Sequence, residues 1–281
     1  AAYQADEAAE IMNRKNFAAT GSFIAEDRPR TLDMIGVASQ LVFNTFHNRK
    51  LRDWEHSGDL DLAYGTARAH NRGMLEFCSV DPRLLATCYV PLADFERTKA
   101  MALESLEAGA AALLIPSGCP DGHSPSLTSF DPLWAIAQEA GIPVVFHVGG
   151  TGDLIDSNYF VNGLPTPKDF HGGDENFRSV DYMGIPGPPM QTLATMIFDG
   201  VLERFPELRI GVIEQGAIWL RVGSSRWKAR TMRFFATRIG CRSCRCVQAN
   251  TYNVKFARPP TRPKMWVGSS KTPARTSACF R

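Results

Sequence analysis

Two residues of this chain stand where chemistry would be done, His147 and Glu214. His147 ends the run Gly141-Ile142-Pro143-Val144-Val145-Phe146-His147-Val148-Gly149-Gly150, with two glycines close behind it. Val144 to Phe146 has the unbroken apolar character of a parallel strand buried on both faces. A histidine at the carboxyl end of such a strand occupies the rim where α/β folds gather catalytic groups. Gly149 and Gly150 remove side chains where a ligand would approach the backbone. Glu214 closes a second run of the same kind, Leu208 to Glu214. If the two strands are parallel neighbours, imidazole and carboxylate share one rim and can share a metal ion or pass a proton. The plain alternatives are a core histidine satisfied by a neighbour and a carboxylate holding loop amides; the sequence leaves both open.

Other candidates carry less. Residues 148–188 are rich in glycine and proline and too long for a simple connector, so they are read as an active-site loop or lid. His171 and Asn176, in Asp169-Phe170-His171-Gly172-Gly173-Asp174-Glu175-Asn176, are its candidate substrate contacts. His47 follows the first strand and falls either near the rim or in a loop. His56 and His70 lie in polar or helical surroundings and read as surface groups, and His123 belongs to a loop. Asp199 and Glu203 read as solvated helix residues.

The elements that must position these groups alternate. Strands are expected at Ile35–Phe43, Leu84–Val90, Ala111–Ile115, Val144–His147 and Leu208–Glu214. Between them come a helix from Leu60 toward Val80, one capped by Asp94 and stopped at Gly109, and one capped by Asp131 with Pro132 at its first position. Met190–Phe205 is read as a further helix. Strand and helix in alternation argue for parallel βαβ units in one α/β sheet. The fold class is a (β/α)8, TIM-barrel-like architecture, incomplete, with five recognisable parallel strands.

Composition divides the chain at Glu214, its last acid. From Gln215 to Arg281 there are 15 Lys and Arg, which leaves 16 of the 31 basic residues to face all 29 acids upstream. The body therefore carries −13 and the tail +15, and the near-neutral whole describes neither. We divide the chain into a body at 1–220 and a basic tail at 221–281. The tail's Cys241-x-x-Cys244 has no second ligand pair for zinc. No phosphate loop, GxGxxG or GxSxG elbow occurs. No apolar run reaches membrane-spanning length. Seven scattered cysteines do not form a disulfide framework, so a reducing, cytoplasmic setting is expected. The partners expected are a small-molecule substrate and, in oligomer contacts, a second copy. Nucleic acid is disfavoured, because the tail's aromatics are not paired with its arginines.

The order of several short segments resembles the amidohydrolase-related (amidohydrolase 2) family of metal-dependent hydrolases and decarboxylases. They are His70-Asn71-Arg72, Asp81-Pro82-Arg83-Leu84, Pro91-Leu92, Asp131-Pro132-Leu133-Trp134, Pro143 to Gly149, Asp199 to Pro206 and Glu214-Gln215-Gly216-Ala217-Ile218-Trp219. The resemblance runs from about Asp33 to Trp219. It implies a distorted barrel with a divalent metal, usually zinc, at the carboxyl rim, activating water or polarising a substrate carboxylate or carbonyl. It implies His147 as the fifth-strand metal ligand and Glu214 as the acid at the sixth strand end, ligand or catalytic group. Two family features are missing: the first-strand His-x-His pair, and the last-strand aspartate, since no acid follows Glu214. Hence a second expectation stands beside the enzyme: a catalytically incomplete remnant that serves in binding or oligomer contacts.

Overall fold

The computed structural model describes residues 20–44, 47–147 and 186–213, with 156–161, 163, 184, 266–267 and 276–277. Five strands, β1 (Gln40–Val42), β2 (Leu84–Tyr89), β3 (Ala112–Leu114), β4 (Pro143–Phe146) and β5 (Arg209–Val212), lie side by side in chain order. Every neighbouring pair is parallel. The expected α/β architecture is therefore present, as a sheet curled into half a barrel. In the tail, β6 (Trp266–Val267) pairs antiparallel with β7 (Thr276–Ser277) and not with this sheet.

The helices follow local rules. α1 is Asp27–Ile35, α2 is His47–Glu55, α3 is Leu60–Cys78 and α4 is Phe95–Glu107; α5 is Asp131–Glu139, α6 is Gly187–Phe198 and α7 is Val201–Arg204. Asp59 caps α3 by accepting from Leu62 N at 2.9 Å, and Asp94 caps α4 through Arg97 N at 2.9 Å. Gly109, at φ 97°, supplies the left-handed step beyond the end of α4.

Three boundaries depart from the sequence reading. Ile35 ends α1 instead of opening β1, because Gly36 takes φ 70° and its N–H caps Leu32 O and Asp33 O. Asp131 is the first residue of α5, not its cap; its carboxylate instead accepts two hydrogen bonds from Arg204, at 2.8 and 2.9 Å. Met190–Phe205 is two helices, since Gly200 turns left-handed at φ 75° between α6 and α7.

The main core gathers β2–β5 with α3, α4 and α5 around Trp134, Phe130, Phe146, Leu113 and Met101, all nearly inaccessible. A smaller cluster of Leu32, Val42, Cys78, Leu84 and Ala86 seals the β1 edge. Cys78 and Cys88 are buried thiols and Cys119 an exposed one; burial pushes the Cys78 thiol up to about 11.

β1 is too short to pair the last residue of β2. Its final partner is Ala86, opposite Val42. Asn71 of α3 completes the ladder: Tyr89 N donates to Asn71 Oδ1 at 2.6 Å, and Asn71 Nδ2 donates to Tyr89 O at 2.9 Å. A side-chain amide thus replaces a peptide group, as buried backbone polar atoms require.

His70, on the same helix, stacks on His47 of α2 at 5.5 Å between ring centres and 19° between planes. Neither His56 nor His70 is the surface group that its polar or helical surroundings suggest; both are half-buried. The His70 Nε2 is shielded from solvent without a partner among the described residues, and that of His56 likewise, while His56 Nδ1 meets Asp121 at 2.8 Å. Burial first, then His47, lowers the His70 pKa to about 4.

Two outcomes follow. Asn71→Ala leaves both Tyr89 peptide groups unpaired and should cost about 2–4 kcal/mol in urea unfolding; an unchanged midpoint would contradict the clamp. His70 is neutral in the fold and protonates near its usual value when unfolded, so its contribution is present above pH 6.5 and lost as pH falls toward 4. Across that window the wild type should lose on the order of 2 kcal/mol more stability than His70→Asn. Parallel stability curves would refute the assignment.

Candidate active site at the carboxyl rim

Parallel strands side by side must end on one rim, and four of them contribute there. β4 delivers His147, half-buried one residue beyond the strand; β3 runs on into Leu114, Ile115, Pro116 and Ser117; β2 ends in Tyr89. The Phe43 ring, just past β1, lies 5.8 Å from the His147 ring. Helix α2 crosses above and adds Asn48 and Arg52, four residues apart and therefore on one helix face. Apart from Phe43, these groups line a narrow cleft of about 20 Å³ that opens to solvent.

Glu55 holds α2 in this position. It is only 5% exposed, and its two oxygens accept from Tyr89 OH and from Leu92 N, each at 2.6 Å. Burial pushes its carboxyl upward against the opposing pull of those two hydrogen bonds. Burial and the Glu55 charge hold the Tyr89 phenol well above its ordinary range, so Tyr89 acts as a donor rather than a base. Leu51 beneath α2 is fully buried and adds apolar adhesion of roughly 1.5–3 kcal/mol.

Arg52 is half-buried, and burial lowers its pKa, although a guanidinium keeps its charge at any working pH. It makes no hydrogen bond or ion pair among the described residues. Both amide atoms of Asn48, and of Asn44 at the end of β1, are shielded from water without a partner among those residues. The cleft therefore offers the Arg52 cation, the Asn48 carboxamide, the His147 imidazole and the fixed Tyr89 phenol against a largely buried apolar wall. Such a set can recognise a compact anion and place an imidazole beside it.

Of the residues selected from sequence, His147 lines the cleft. Glu214, His171 and Asn176 lie outside the described residues. His47 opens α2, edge-on to Trp54 at 5.7 Å, and does not line the cleft. His123 packs between Phe95 and Phe130, at 5.2 and 5.4 Å. Asp199, read as solvated, accepts a short hydrogen bond from the Ser126 hydroxyl and so ties the loop after β3 to the end of α6.

Sequence reasoning passed over Asn48, Arg52, Glu55 and Tyr89. The available signal was the four-residue spacing of Asn48 and Arg52 in a helix whose inner face also carries Leu51 and Glu55. For the metal that the family resemblance implies, the described residues do not suffice. No group of three or more His, Cys, Asp or Glu side chains comes together among them, and His147 stands as a single donor in the cleft.

Comparison with known proteins connects this geometry to relatives. An amidohydrolase from Mycobacterium avium subsp. paratuberculosis K-10 superposes with a TM-score of 0.61 at 24% identity, over 76% of this chain and 52% of that one. The 5-carboxyvanillate decarboxylase of Novosphingobium aromaticivorans DSM 12444, solved with manganese and 4-hydroxy-3-methoxy-5-nitrobenzoic acid, gives 0.54 at 20% identity, covering 73% of this chain and 54% of its own. A 2,6-dihydroxybenzoate decarboxylase complexed with 2,6-dihydroxybenzoate gives 0.50 at 18%, covering 66% and 54%. These likenesses establish the fold, and the chain spans about half the length of each of these solved relatives. No curated protein matches its sequence. The amidohydrolase family model matches residues 49–264, entering at α2, passing β5 and extending into the acid-free segment beyond the body drawn from composition. Matched over most of its length, the chain belongs to the amidohydrolase family.

Proposed function

We propose that this chain forms the substrate-facing body of a metal-dependent hydrolase or decarboxylase acting on a small carboxylate or carbonyl compound. The observation that carries the reading is His147 at the carboxyl end of β4, in the wall of a cleft that also holds a cation. The family supports the reaction class, and the acids named for two neighbours support the substrate class. His147 is the proposed metal ligand, Glu214 the proposed second ligand and proton-handling acid, and His171 and Asn176 the proposed contacts to substrate. A divalent ion, zinc or the manganese seen in one neighbour, would supply an activated water or a polarised substrate oxygen. Tyr89, held protonated by Glu55, is a proton-bearing group in the cleft wall. We take the protein to work in the cytoplasm, as its seven scattered cysteines suggest; no helix among the described residues is long and apolar enough to cross a membrane.

A second reading has its own support. The sequence holds no His-x-His pair and no acid after Glu214, and this supports a remnant that binds small molecules or a second copy without turning substrate over.

Elemental analysis of the purified chain separates the two. The enzyme reading expects about one divalent metal per chain, lost in His147→Ala. The remnant reading expects no metal in either protein. Metal retained equally by His147→Ala would remove His147 from the proposed site.

A further inference from the structure

We propose that Arg52 and Asn48, one turn apart on α2, hold a single halide ion, chloride in ordinary media, in the narrow cleft beside the end of β3. The inference goes beyond the functional reading above and stands whether or not the chain turns over a substrate.

Size decides first. The cleft has room of about 20 Å³ between Asn48, Arg52, Tyr89, His147 and the segment from Leu114 to Ser117. That is space for one water molecule or one monoatomic ion. A carboxylate, phosphate or sulfate group does not fit. The walls have little freedom to yield, since Tyr89, Leu114, Ile115 and Ser117 are each no more than 4% exposed.

Charge decides next. Arg28, Arg68 and Arg83 are half-buried like Arg52, and each places its guanidinium on an oxygen acceptor. Arg52 forms no hydrogen bond or ion pair among the described residues, although it stands in a cleft wall. Arg209 shares that state, but it opens β5 at the opposite end of the sheet. The acids beside Arg52 on α2 do not bond to it: Asp53 is exposed, and Glu55 gives its two oxygens to the Tyr89 hydroxyl and the Leu92 N–H.

The Asn48 amide nitrogen is shielded from solvent and unpaired among the described residues, which costs stability until an acceptor meets it. A guanidinium only donates, and an amide NH2 can donate to the same acceptor. A water would answer those donors but leave the cation without a counter-charge, against the apolar surface of Leu114, Ile115 and Pro116. Attraction between opposite charges strengthens in such surroundings. A halide meets both needs within the room available.

The test compares chloride with acetate on the whole chain, at equal ionic strength and with a chelator present. Chloride should raise the thermal midpoint of the wild type by roughly 2–4 °C over acetate, which is too large for the cleft. Arg52→Met should abolish that difference. Chlorine NMR gives a second reading: the protein broadens the bulk chloride signal, and Arg52→Met should remove at least half of the broadening per chain. The remainder belongs to the 15 cations that follow Glu214, which the substitution leaves in place. Asn48→Ala should weaken both effects, and it carries the test if Arg52→Met does not fold. Equal midpoints in chloride and acetate would mean that only water occupies the cleft, and would overturn the site. Broadening unchanged in folded Arg52→Met, or in Asn48→Ala, would overturn it too, because the other cations would then account for the chloride. Metal is excluded throughout, so a failure here leaves the metal reading untouched.

Discussion

The buried carboxylate of Glu55 is the contact on which the rim depends. It joins three elements in one place: α2, which carries it; the end of β2, through the Tyr89 hydroxyl; and the turn into α4, through the Leu92 amide. A charge removed from water is tolerated only when its lone pairs are answered, and here both oxygens have donors. Because these bonds fix the rotation of α2, they also fix the direction in which Asn48 and Arg52 face. Without that anchor a helix as polar as His47–Glu55 would be held by Leu51, the partly buried Trp54 and the stack of His47 on His70.

The rim is backed by a second set of polar substitutions for missing backbone. β1 contributes three residues, yet β2 continues three further, and Asn71 with the Thr87 hydroxyl closes the gap on that side. Tyr89 is therefore held at both ends, its peptide by Asn71 and its phenol by Glu55. A residue fixed in this way is a firm wall for a cleft, and His147 on β4 faces the same space.

Much of this was legible in the sequence, for identifiable reasons. Strands β2 to β5 announced themselves as apolar runs bounded by capped helices, because a sheet buried on both faces leaves no room for polar positions. His147 was legible for the same reason, as a polar residue ending an apolar run. β1 was drawn too long, because Ile35 and Val37 are apolar while the helix stop at Gly36 depends on one residue's left-handed conformation. The α2 contribution was hidden more deeply. Glu55 and Arg52 have the composition of a solvated face, and only the three-dimensional path of α2 over the strand ends turns that face inward. His70 was misjudged by the same logic, since its neighbours in sequence are polar while its neighbour in space is His47.

We propose that the chemistry of this chain belongs to the rim around His147 and not to the other histidines. Titrating the isotopically labelled protein with manganese, and following the imidazole nitrogen signals of its six histidines, tests this most directly. His147 should broaden at the lowest manganese concentration, while His47, His70 and His123 should respond only later. Earlier broadening of the stacked His47 and His70, or uniform broadening of all six, would contradict it.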